Sequence, residues 1–140
     1  MPGMVTQTIR GDKEAILALS KIKTGTIMGY RVGLNSALKY LLAETKKVTP
    51  RSERGSHGQA PGFLRRSGAT QLMGTGAGTK GVISFSAWYA VYVHEILTNW
   101  HAPGTYAKFL ERTVRNPAKQ LIASKIISTS IEIYQIRKIR

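Results

Sequence analysis

His94 and Glu95 stand side by side in this chain, with His101 a short way after them. In a helical zinc site two histidines one turn apart hold the metal while a glutamate between them serves as base. Here the position that should carry the second histidine is Thr98. His101 could approach His94 only through a loop, with Glu95 as a third ligand, and a hydrogen-bonding role for His94 is the simpler reading. Gly74-Thr75-Gly76-Ala77-Gly78-Thr79-Lys80 offers backbone amides of the kind that cradle phosphate. A nucleotide loop, however, needs Gly, four residues and then Gly-Lys-Ser/Thr at the start of a helix, whereas Lys80 is followed by Gly81. Asp12 is the sole aspartate among seven acidic residues, and no Ser-His-Asp or paired-carboxylate pattern emerges. With no cysteine at all, thiol catalysis, disulfides and thiolate zinc sites are excluded. The expectation is a protein that is not an enzyme, with no cofactor and no metal.

What the sequence does carry is positive charge. Twenty-one Lys and Arg against seven Asp and Glu give +14 over 140 residues, a density that attracts polyanions and steers association with nucleic acid or an acidic partner. Arg51, Arg54, Arg65 and Arg66 face only Glu53 in a stretch rich in Gly, Ser and Pro between Thr49 and Ser67. That stretch, 51–68, reads as a long flexible basic loop, the best candidate for contact with nucleic acid or an assembly partner. The aromatic run Trp88-Tyr89-Tyr92 could stack bases, but it is interleaved with Ala87, Ala90, Val91 and Val93, and no Lys or Arg lies between Lys80 and Lys108. Core and interface packing is the better reading. His94, Glu95 and Lys108 are expected to form a polar clasp that pins the loop before the last helix, with Glu111 within reach.

The elements that must position these residues follow from periodicity. A hydrophobic content of 42% in 140 residues suits one domain, 1–140, with one ordinary core. No apolar run is long enough to span a bilayer and Met1-Pro2-Gly3-Met4 lacks signal-peptide character, so a soluble, intracellular protein without membrane contact is expected. Val5, Gln7 and Ile9 alternate as a short strand. Asp12 suits an N-cap for a short helix with Ile16, Leu17 and Leu19, interrupted at Lys21–Gly25. A second helix follows from Thr26, with Ile27, Tyr30, Leu34, Leu38, Leu41 and Leu42 on one stripe and Pro50 as its stop. Gly29 and Gly33 share a face and permit close approach by another helix or strand. Ala69–Met73 and Gly81–Ser86 flank the glycine-rich turn as an antiparallel hairpin. Trp88–Val93 reads as either a third strand or a short helix. A final helix starts near Tyr106, with Phe109, Leu110, Val114, Leu121, Ile122 and Ile126 inward, and breaks near Asn116 before Pro117. The β-branched residues of 128–140, among them Ile131, Ile133 and Ile136, suggest a last strand or an arm to a neighbour. The sum is an α+β fold: a small antiparallel sheet packed against a long helix of the N-terminal half and a C-terminal helix, with a long basic loop.

Tyr89-Ala90-Val91-Tyr92-Val93-His94-Glu95, followed by His101-Ala102-Pro103-Gly104-Thr105-Tyr106-Ala107-Lys108-Phe109-Leu110-Glu111, resembles the signature of small minor structural proteins of tailed double-stranded-DNA bacteriophages, the neck, head–tail joining, tail-completion or minor capsid proteins. Gly62-Phe63-Leu64-Arg65-Arg66-Ser67 is similar to that family's Thr-Gly-x-Leu-Arg-x-Ser. An insertion from Arg51 to Ala60 and Ile96-Leu97 in place of a glycine depart from the pattern. The resemblance covers roughly residues 4 to 125. It implies a virion protein, assembled in the host cytoplasm into a homo-oligomeric ring of six copies, with twelve as the alternative, at the neck where capsid meets tail. Its implied partners are connector or adaptor proteins on one side and tail terminator or tail tube proteins on the other. Non-specific contact with double-stranded DNA would then give the cationic surface its role, since any genome sequence must pass. Trp88, Tyr89, Tyr92, Ile131, Ile133 and Ile136 are the expected assembly residues. The other reading is a small basic nucleic-acid-binding protein acting as monomer or dimer.

Overall fold

A computed structural model of the chain describes residues 12–51, 58–97 and 103–139. The order is α1 (Asp12–Val48), α2 (Phe63–Arg66), β1 (Gly68–Met73), a 3-10 turn at Gly76–Gly78, β2 (Lys80–Phe85), α3 (Ala90–Glu95), α4 (Phe109–Arg115) and α5 (Pro117–Ile139). The fold is α+β, with a long helix in the N-terminal half, a two-stranded antiparallel sheet and a C-terminal helix. The strand expected at Val5–Ile9 lies outside the described residues.

Asp12–Val48 forms one helix rather than two. Gly25 in a helix interior costs about 1 kcal/mol against alanine, and the helix nevertheless runs through it. The hydroxyls of Ser20, Thr24 and Thr26 donate to the carbonyls of Ile16, Ser20 and Ile22, at 2.7, 2.9 and 2.9 Å. Gly25 itself is buried. A sequence-level breaker is therefore overridden by what packs on it. Pro50 does end the helix, as expected from its missing N–H.

The partner on that side is α5, antiparallel to α1. Gln135 Nε2 donates to Thr26 Oγ1 at 2.8 Å near one end, and Lys119 Nζ to Glu44 Oε2 at 3.0 Å near the other. Between them, a Cβ built on Gly29 would lie 2.6 Å from Ile131 Cα, and one on Gly33 would lie 2.8 Å from Ile127 Cα. The two glycines form the notch into which the backbone of α5 settles. This overturns the expectation of a terminal strand or arm: Ile131, Ile133 and Ile136 are helical and belong to α5. Composition favoured a strand, but contact with the notch decides the conformation. It also fixes which face of α5 is inward. Ala123 is buried, whereas Leu121 is 63% and Ile122 44% exposed, contrary to the inward placement expected of both. Val114 on α4 is 37% exposed, while Phe109 is 1% exposed as expected of an inward residue.

The break between α4 and α5 is a capping device. Asn116 Oδ1 accepts the amides of Ala118 and Lys119 at 3.1 and 3.2 Å, with Pro117 in the first helical position where no N–H is needed.

The stripe on α1 from Tyr30 to Leu42 faces the hairpin. Strand β1 pairs with β2 from Gly68↔Phe85 to Met73↔Lys80. Gly81 admits Leu38, whose Cδ1 would be 2.5 Å from an added Cβ, and Tyr30 donates its hydroxyl to Thr79 O at 3.0 Å. Beyond the hairpin, the open choice for Trp88–Val93 resolves as helix α3. Leu64, Ala87, Tyr89, Ala90 and Phe109 form the buried cluster, with the Phe85 and Phe109 rings edge to face at 5.2 Å.

Candidate functional site

Helix α3 ends at Glu95 and α4 begins after Lys108, and the two ends meet. Lys108 has φ 56, the left-handed region that a non-glycine residue enters at a cost. That geometry turns its amide onto the His94 carbonyl, at 2.7 Å. Its ammonium is bonded to Glu95 Oε2 and lies 3.6 Å from Glu111 Oε2, while Arg115 pairs with Glu111 at 2.8 Å. His94 Nδ1 is 2.6 Å from Glu95 Oε1, and its ring meets Phe109 edge to face at 5.0 Å. His94, Glu95, Lys108 and Glu111 are thus brought together, with Arg115 as a fifth member that residue spacing did not single out.

The electrostatics follow from contact. Hydrogen bonds from Lys108 and then His94 hold the Glu95 carboxyl below the usual carboxylate range, and the bond to Glu95 holds the Lys108 ammonium above the usual lysine range. The bond to the Glu95 carboxylate takes Nδ1–H of His94, so the other ring nitrogen, Nε2, must find its partner elsewhere. That atom is buried and has no hydrogen-bond partner among the described residues. Exposed ion pairs contribute little energy each. The clasp fixes position: it sets where α4 starts relative to α3.

Among the described residues no three His, Asp or Glu side chains converge in a way that would hold a metal ion. His101, the ligand a zinc site would have needed, lies outside those residues, and so does Arg54. No helix of the described residues is long and apolar enough to cross a membrane.

The other arginines of 51–68 are placed as follows. Arg65 donates to Thr49 O and Arg66 to Pro61 O, both at 2.8 Å, so each guanidinium is tied back to nearby backbone. Arg51 lies along Gly62, with Nε 3.3 Å from where a Cβ would stand. The described end of this stretch also contains helix α2. Positive charge is not confined to it: Lys13, Lys21, Lys23, Lys39 and Lys47 on α1 and Lys125 and Arg137 on α5 are all exposed. Arg31 donates to Thr79 Oγ1 at 3.2 Å and steadies the hairpin turn.

Of the aromatic run, Tyr89 is core at 5% exposure, whereas Trp88 and Tyr92 are 60% and 59% exposed. Short helix α3 has two sides, so packing claims one and leaves the other to solvent or a neighbour. A groove of about 380 Å³ opens between α1, β2 and α4, walled by Leu38, Leu41, Ile83, Leu110 and Val114, with His94, Glu111 and Arg115 also on its lining. The arrangement offers apolar and cationic surface for contact. No family model, no curated protein and no solved structure matches the chain.

Proposed function

We propose that the chain is a structural subunit of the head–tail junction of a tailed double-stranded-DNA phage, one copy in a ring that borders the DNA passage and joins capsid to tail. The observation that carries the reading is the contact between the segments bearing the family-like motifs. Tyr89–Glu95 and Thr105–Glu111 meet through Lys108, His94 and Glu95. Their polar residues bond to one another and set the angle between two helices, a task suited to a subunit that must present a fixed surface to neighbours.

The charge supports the same reading. A net +14, of which α1, α5 and the 51–68 stretch together carry +10, suits sequence-independent attraction to phosphate, which a channel passing any genome requires. Exposed Trp88, Tyr92, Ile133 and Ile136 supply apolar surface for neighbouring copies or flanking ring proteins. Density for this fold at the neck of purified particles, together with the polypeptide among their proteins, is the expected result. Its absence from assembled particles would overturn the proposal.

The second reading, a monomeric or dimeric DNA-binding protein, draws on the same cations. It predicts duplex binding by the free protein whose affinity falls steeply between low and moderate salt, as counterion release demands.

A further inference from the structure

Helix α5 carries a second apolar row besides the one that lies on α1. Ile122, Ile126, Thr129, Ile133 and Ile136 follow one another at steps of four, three, four and three residues, the seam spacing of a helix that packs along another helix. The face turned to α1 is a different one: Ala123 is buried, and Ile127 and Ser130 meet Gly33. At 100° per residue the two rows lie about 110° apart round the helix. The described elements that pack on α5 are chiefly α1 and α4, and Ile122, Ile133 and Ile136 are left 44%, 45% and 56% exposed.

One flank of the row bears Lys125 and Glu132, both exposed and one heptad apart. Glu44, Glu95 and Glu111 are each paired with cations of their own chain. Lys125 and Glu132 have no ion-pair partner among the described residues. We propose that a second copy of the chain occupies the row, with the two α5 helices antiparallel about a two-fold axis near Thr129, so that Lys125 of each copy lies beside Glu132 of the other. It is a different contact from the head-to-tail one that a ring needs, and it stands whether or not the junction reading holds.

Charge and residue type specify both the partner and its direction. The middle of the span from Lys125 to Glu132 falls beside Thr129, so a single axis aligns both ion pairs and the seam, with Ile122 opposite Ile136 and Ile126 opposite Ile133. A parallel pair would join Glu132 to Arg137 but set Lys125 against Ser130, and isoleucine at both seam positions of parallel helices favours three or more strands over two. The apolar row with the stems of Lys125 and Glu132 offers roughly 400–500 Å² per copy, about half of what each partner gives to a standard interface. The pair is a reversible one, with a dissociation constant on the order of 100 μM.

Sedimentation equilibrium of the whole chain over a range of concentrations tests the pair, with charge reversal as the probe. Lys125→Glu and Glu132→Lys should each weaken dimerisation about fivefold to tenfold, and the chain carrying both reversals should regain the parent's affinity. Neither residue is ion-paired within its own chain, so the circular dichroism and melting of dilute protein should stay unchanged in all three variants. A chain that is monomeric at every concentration, or a double reversal no tighter than the single ones, would overturn the proposal. The absence of native cysteine allows a second measurement. Ile122→Cys and Ile136→Cys fall at open positions, and an oxidised mixture of the two variants should give a disulfide between one chain of each kind. Disulfides of each variant only with itself, the parallel pattern, or none at all, would equally refute the antiparallel pair.

Discussion

Gly29→Ala is the substitution for which local preference and packing pull in opposite directions. Alanine is the better helix former by about 1 kcal/mol, so an unpartnered α1 would be strengthened. In the folded chain the new methyl would stand 2.6 Å from Ile131 Cα and 2.8 Å from Ser130 O, both backbone atoms of α5. Ordinary carbon contacts are about 3.5–4.0 Å, so α5 must retreat by about 1 Å and lose contact with the neighbouring turns. Overpacking of this kind costs about 1–3 kcal/mol, more where backbone must move. The net expectation is a loss of about 1–2 kcal/mol, seen as a melting temperature lower by about 3–10 °C for a chain of this size. Thermal and urea unfolding followed by circular dichroism measure it. Gly33→Ala, with Ile127 Cα at 2.8 Å, should act in the same direction. The double variant should lose less than the two single losses combined, because α5 has already moved. Gly78→Ala, with nothing within 4 Å of the added carbon, is the neutral control. A higher melting temperature for Gly29→Ala would refute the notch and with it the docking of α5 described above.

Three further outcomes follow from the same contacts. Phe109→Ala removes a ring that is 1% exposed and should cost about 3–5 kcal/mol in urea unfolding. Asn116→Ala deletes the cap of α5 and should cost about 1 kcal/mol, whereas Asn116→Asp should retain most of it. Glu95 and Glu44 are both held below the usual carboxylate range by their lysine partners, so their stabilisation is complete above about pH 4.5 and is lost as the pH falls through the lowered values. Lys108 is held above its usual range, so its share is intact below about pH 10 and is lost only as the pH rises past the raised value. Melting temperatures from pH 3 to 7 should accordingly fall less steeply on the acid side in Glu95→Gln than in the parent.

The hairpin was legible because its turn is spelled in residue types: Gly74 and Gly76 take positive φ, and the flanking segments are of strand length. The break before Pro117 was legible for an equally local reason. The clasp could be named from charge and neighbourhood, since Glu95 and Lys108 are complementary groups at the ends of adjacent segments. Its mechanism could not be, because no pattern announces a lysine in the left-handed region. Where the reading missed, the deciding contact was distant in sequence. Gly25 looked like an interruption and Ile131–Ile136 like a strand because each was weighed alone; each is helical in a pair of helices that cover one another. Leu121 and Ile122 of α5 were expected inward for the same cause, since periodicity finds a stripe but not the partner that chooses among stripes.

The pairing of α1 with α5 ties residues near the start of the chain to residues near its finish, as Thr26 with Gln135 illustrates. During synthesis α1 must wait, its glycine notch empty, until the chain through α5 has been made. The hairpin and α4 can gather on the other side of α1 meanwhile, but the stretch that covers the notch is translated about a hundred residues later, so termination within α5 would leave the earlier helix open to mispairing.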